Sequence, residues 1–125
     1  MSPIGWAAFL LAAAAGAPAR YVLDGIVQQR SAGTFPWGTL LVNVSGCFLL
    51  GVLTGWGTYH GLGPTARSAL GTGGLGAYTT FSTFTFETVR LAEQGELGAA
   101  LRNVTGNVLG GLTAAAAGIG LAAWL

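Results

Sequence analysis

Four apolar stretches, each long enough to cross a bilayer as a helix, run through this chain and leave few residues for anything else. A helix rises about 1.5 Å per residue and the hydrocarbon layer is about 30 Å thick, so roughly 20 apolar residues make one crossing. The stretches run from about Ile4 to Ile26, Trp37 to Tyr59, Ala66 to Val89 and Leu97 to Trp124. Between them lie SAGTFP after Arg30, HGLGPT from His60 and AEQG from Ala92, each rich in turn-forming residues. No soluble domain fits in such connections. Only 7% of the 125 residues are charged, against about 25% in soluble domains. The reading is an all-α membrane protein, one four-helix transmembrane domain over residues 1–125. No basic residue precedes Ile4, and the first stretch outruns the apolar region of a leader, so the first helix is expected to stay.

All five basic side chains are arginine. With four crossings Arg30, Arg90 and Arg102 fall on one side and Arg67 on the other, while Arg20 lies inside the end of the first span. A bias this weak leaves room for insertion in both orientations. Cys47 is the lone cysteine and is read as a small buried hydrophobe.

Lipid gives helices no hydrophobic reason to associate, so contact has to come from small side chains. Gly51 and Gly55 make one GxxxG spacing, and Gly106 and Gly110 another, read as packing contacts. Four helices of this size enclose little space. A homo-oligomer with a pathway near the interface between copies is the natural remedy.

Polar side chains within the spans are the next clue, because each is expensive in hydrocarbon unless it faces protein or water. Arg20 and Asp24 are spaced i,i+4 and fit either a pair at a helix end or an ion-attracting role. Pro18 before them should bend the first helix or free a carbonyl. Asn43 needs a partner or a ligand, and Asn103 and Asn107 share one face of the fourth helix. The densest polar run is GAYTTFSTFTFE, Gly76 to Glu87. Glycines at 71, 73, 74 and 76, followed by Thr79, Thr80, Ser82 and Thr83, make it a poor helix, and a break is expected near 76–80. A broken membrane helix frees backbone groups of the kind that bind small ions. Phe81 and Phe84 share a face with these hydroxyls. They fit ordinary packing, or an anion directed at the positive ring edges.

The chain resembles the Fluc (CrcB-type) family of fluoride channels in GAPARY at 16–21, PWGTLLVNVSGCFLLG at 36–51 and GGLGAYTTFSTFTFE at 73–87. The resemblance implies a fluoride-selective passive channel of a prokaryotic inner membrane, built as an antiparallel, dual-topology homodimer with two pores. It implies a structural sodium ion at the dimer interface, held by the backbone carbonyls of Gly76 and Thr79 from each subunit. It places Asn43, Phe81 and Phe84 on the fluoride pathway, Ser82, Thr83 and Glu87 on a polar track, and Arg20 in the vestibule. A carboxylate at Glu87 repels fluoride unless it is protonated or turned aside. Asn103 and Asn107 stand where tyrosine and serine are common in the family and keep hydrogen-bonding capacity on the same track. Ala77 and Tyr78 likewise stand where glycine and phenylalanine are frequent.

The expected partners are therefore fluoride, a second copy of the chain and the bilayer, with no nucleic acid. No catalytic constellation and no nucleotide motif appears, so no enzyme is expected. Two rivals are weaker. A small dual-topology multidrug or guanidinium exporter needs a membrane-embedded glutamate in its first helix, where this chain has only Asp24 near the end. A non-transporting assembly subunit explains the glycines but not Asn43 and the TTFSTF run in lipid.

Overall fold

All 125 residues are described by the computed structural model, which contains helices and short connections and no strand. Helix α1 spans Pro3–Arg30, α2 Trp37–Trp56 and α6 Leu97–Trp124; between α2 and α6 lie α3 (Pro64–Arg67), α4 (Gly76–Tyr78) and α5 (Ser82–Glu93). Two π-helical segments interrupt the series, Gly57–Gly61 after α2 and Ser68–Leu75 between α3 and α4. Three stretches are long and apolar enough to cross a membrane: Pro3–Arg30, Trp37–Gly61 and Leu97–Trp124. Burial is inverted relative to a soluble protein. Only 23 residues are buried, Asn103 and Asn107 among them, while Ile4, Leu11 and Leu112 point outward. This is the pattern of a multi-pass membrane protein.

The helix ends follow local chemistry. Pro3 takes the first position of α1, and the Ser2 hydroxyl accepts from the N–H of Gly5 at 3.1 Å. Pro18 does not end α1, which continues to Arg30, although the N–H that would reach the carbonyl of Ala14 is missing. Each of the three connections contains one glycine at positive φ: Gly33 (84°), Gly61 (85°) and Gly95 (79°). At Gly95 the N–H of Glu96 returns to the Leu91 carbonyl and that of Gly95 to Ala92, closing α5 in a Schellman motif.

Helices α2 and α6 meet through glycine. A β-carbon on Gly51 would collide with the Ala115 carbonyl, and one on Gly118 with the Phe48 carbonyl. Gly55 sits against Ala122 and Ile119, so the first GxxxG spacing is a true backbone contact. Gly106 and Gly110 face only the side chains of Leu40 and Val44. The tight position of α6 is Gly118, which the GxxxG pattern did not mark.

Residues 66–89 were expected as one helix with a break near 76–80. The break is present, at Thr79–Phe81, where Thr79 is extended (φ −80°, ψ 161°). The π-helical turns before it were not expected. Gly76 N–H reaches back five residues to the Gly71 carbonyl, giving a wider, shorter segment. Alpha-helix α1 lies directly on this segment, with Gly16 against the Gly74 carbonyl and Gly73 against the Phe9 carbonyl. Two glycine-poor surfaces could not approach so closely.

Gly51→Val and Gly118→Val should each lower thermal stability in detergent by about 1–3 kcal/mol, the usual cost of overpacking. Gly120 has open space around it, so Gly120→Ala should be neutral or gain up to ~1 kcal/mol in helix propensity. Equal effects at all three positions would show that the α2–α6 contact is not close-packed.

Candidate functional site

The break leaves the N–H and carbonyl of Thr80 without helical partners in an apolar surrounding. Asn43, one turn and a half inside α2, satisfies both. Its Oδ1 accepts from the Thr80 N–H at 2.9 Å, and its Nδ2 donates to the Thr80 carbonyl at 2.8 Å. The second Nδ2 hydrogen goes to Asn107 Oδ1 at 2.9 Å. Asn107 Nδ2 in turn donates to the carbonyl and Oδ1 of Asn103, and Asn103 Nδ2 to Thr88 Oγ1 at 2.9 Å. Four buried or half-buried side chains thus form one chain of hydrogen bonds from α2 through α6 to α5. Both N–H groups of Asn43 are committed within it, so Asn43 holds the break and has no free donor in this arrangement.

The chain re-enters a helix through hydroxyls. Thr80 Oγ1 accepts from the N–H of Thr83 at 3.2 Å, as an N-cap side chain does, and donates to Thr83 Oγ1 at 3.0 Å. On the entry side the N–H and hydroxyl of Thr79 both take the Leu75 carbonyl. Tyr78 is fixed by its hydroxyl to Ser45 at 2.9 Å. Gly46 leaves the room Thr79 occupies, since a β-carbon there would collide with its methyl group.

Of the expected site residues, Asn43, Gly76, Thr79, Phe81, Phe84 and Asn107 line one open groove of about 570 Å³. Phe81 and Phe84 stand edge to face, 5.8 Å apart at 71°, with Phe84 buried and Phe81 77% exposed. Arg20 and Thr83 line a second cavity of about 220 Å³, and Glu87 a third of about 350 Å³ beside Arg90. Thr80 is common to the first two and Asp24 to the last two, so the three follow one another through the molecule. Ser82 is exposed next to Thr80. Asn103 is fully buried and lines none of these cavities; it supports Asn107 from behind.

Glu87 is turned aside. Its Oε1 accepts from Thr39 at 2.8 Å, and its Oε2 is buried without a partner. Arg20 does not close onto Asp24; Nη1 donates to the Thr79 carbonyl at 3.2 Å. Asp24 instead lies against Gly38, at the closest approach of α1 and α2. The carbonyls suit a hard cation unequally. That of Gly76 accepts no backbone hydrogen bond, whereas that of Thr79 has one lone pair occupied by a guanidinium. Both remain oxygen donors of the type a sodium ion takes.

A sequence profile of the family described as CrcB-like protein, Camphor Resistance (CrcB), matches residues 7–119. The chain belongs to this CrcB-like family. It is similar to a protein named fluoride-specific ion channel FluC 1 from Leifsonia xyli, 47% identical over all of this chain and 88% of that one. A FluC 1 from Streptomyces avermitilis is 46% identical over 93% of this chain and 94% of its own, and a FluC 2 from Moorella thermoacetica 48% over 89% and 84%.

In this CrcB-like chain the residues that sequence reasoning missed are Thr80, Thr39, Ser45 and Thr88. Asn43 carried the signal for Thr80. A buried amide with two donors and an acceptor needs matched partners, and a broken helix offers them. If Asn107 acts through Asn43, their truncations are coupled. Asn43→Leu should lower stability by about 2–4 kcal/mol and Asn107→Leu by about 1–3, with a coupling above ~0.5 kcal/mol in the double variant. Chemical denaturation of the purified protein measures this, and additive losses would mean that the amides act separately.

Proposed function

We propose that the protein is a fluoride-selective passive channel exporting fluoride from a prokaryotic cytoplasm through the inner membrane. One observation carries the reading. The edge-to-face pair Phe81–Phe84 stands beside a clamped helix break, in a chain whose relatives are named fluoride-specific channels.

Fluoride is small and holds its water strongly, so a path has to replace that water with donors that do not trap the ion. Ring edges carry partial positive charge, and Phe84 lines the groove where it meets Thr80. Beyond Thr80, the Thr83 hydroxyl accepts a hydrogen bond from Thr80 and keeps its own hydrogen free for the ion. Arg20 adds positive charge to that cavity. Holding Glu87 against Thr39 keeps a carboxylate from facing the ion with both oxygens. No bond is made or broken along this path, and membrane potential drives the anion outward.

In this reading the third crossing is the segment Pro64–Glu93, and the channel is an antiparallel homodimer with two pores. The 77% exposure of Phe81 supports a second copy, because a pore-lining ring left in lipid would serve no path. Gly76 and Thr79 of both subunits would hold a sodium ion, which supplies structural charge at the two-fold axis. The unpaired Gly76 carbonyl supports this.

Liposomes containing the purified protein should release fluoride, read with an electrode, and far less chloride. Phe81→Ile and Phe84→Ile should each slow fluoride release about tenfold or more, one tenfold step being ~1.4 kcal/mol of barrier. Background flux from folded protein would end the channel reading. Unchanged flux in both variants would reduce the rings to packing.

A further inference from the structure

Arg67 stands apart from every acidic side chain of the protein. The four side-chain carboxylates gather at the other end of the molecule: Asp24 lies on Gly38, Glu87 is bonded to Thr39, Glu96 to Thr34, and Glu93 closes α5. Arg67 rests on Gly57, just past the far end of α2. At about 1.5 Å per residue, the helix from Thr39 to Gly57 separates them by roughly 25–30 Å. No side-chain carboxylate can pair with this guanidinium within the chain.

The same arginine is at the rim of the long groove that contains Asn43, Phe84 and Asn107. No acidic residue lines that groove. Thr54, one turn before Gly57, and Thr72 line the same groove as Arg67, and both are exposed. Their hydroxyls are not tied back to helix carbonyls, as those of Thr58, Thr79 and Thr88 are. The guanidinium also lies directly against Gly57. A β-carbon on Gly57 would stand 2.5 Å from its Nη2 and 3.1 Å from its Cζ, so the missing side chain of the π-helical turn is its seat.

The geometry points to a second anion-gathering mouth, formed by Arg67 with Thr54 and Thr72, at the opposite end of the path from Arg20 and Arg90. Its ligand class is a small hydrated monoanion, and the proposal rests on the channel reading above. A bare, exposed guanidinium with two hydroxyls attracts such an ion without stripping its water, then leaves it to the narrower donors near Phe84. The ordinary alternative is an interfacial arginine whose stem covers apolar surface. Charge-dependent flux separates the two.

Electrostatic gathering is screened by salt, with a Debye length of about 30 Å at 0.01 M and about 10 Å at 0.1 M. The full chain is reconstituted in liposomes, and fluoride release is measured at low and high ionic strength, set with a salt of a large impermeant anion. At low ionic strength Arg67→Gln should reduce release by about tenfold, the lower end of the effect of a charged cleft that focuses ions. The deficit should shrink to less than about twofold at high ionic strength as screening removes the effect. Arg67→Lys should stay near wild type and Arg67→Glu should fall below Arg67→Gln. Gly57→Ala, which unseats the guanidinium and keeps its charge, should give a smaller deficit.

Wild-type conduction with an unaffected Arg67→Gln at low ionic strength overturns the mouth and leaves the channel standing. A deficit equal at both ionic strengths, or one that Lys does not rescue, overturns it in favour of a packing role. No fluoride release from wild type overturns the channel reading and the mouth together.

Discussion

Everything in this protein that is not lipid-facing follows from one constraint: a helix broken inside an apolar layer has to find partners for the backbone groups it frees. Water is not there to take them, and each unsatisfied group costs several kcal/mol, about the size of a domain's whole net stability. Asn43 answers with the one side chain that offers a donor and an acceptor in the same plane. Because the remaining Asn43 hydrogen then needs its own acceptor, the requirement passes to Asn107, to Asn103 and finally to Thr88. The polar interior is a consequence of the break as much as a lining for an ion.

The glycines serve the same end from outside. The π-helical turns Ser68–Leu75 change the angular position at which the chain reaches the break, and the close seating of Gly16 on Gly74 fixes that position against α1. With α1 on one side and α2 on the other, Tyr78 meets Ser45 and Arg20 meets the Thr79 carbonyl. The break is held at three consecutive residues by two helices. A path lined by such a segment keeps its shape without bulky apolar packing, which lipid would not favour anyway.

Charge is distributed in step with this architecture. Arginine and carboxylate are mixed at one end, where Glu87 is fixed by Thr39 and faces a cavity shared with Arg90. At the other end Arg67 has no acidic side chain near it. Membership of the CrcB-like family gives the chemistry its context, and Asn103 and Asn107 have a defined task in this chain. They complete the amide chain that orients Asn43.

Much was legible in the sequence. Three of the four apolar stretches were, because bilayer thickness sets helix length whatever the partners, and the break was, because glycine followed by threonine weakens a helix locally. So was the gathering of Asn43, Phe81, Phe84 and Asn107 around it. The π-helical turns, the burial of Asn103 and the pairing of Arg20 with Thr79 were not legible, because each depends on which helix lies opposite at a given height. A glycine spacing likewise says that close approach is possible but not where it occurs, so Gly118 was missed while Gly106 was marked. The sequence by itself determined that this is an all-helical membrane chain with a costly polar break. Only the tertiary structure decided that the break's partners are Asn43 and Arg20, since hydrogen bonds between residues far apart in the chain exist only once packing brings them within 3 Å or so.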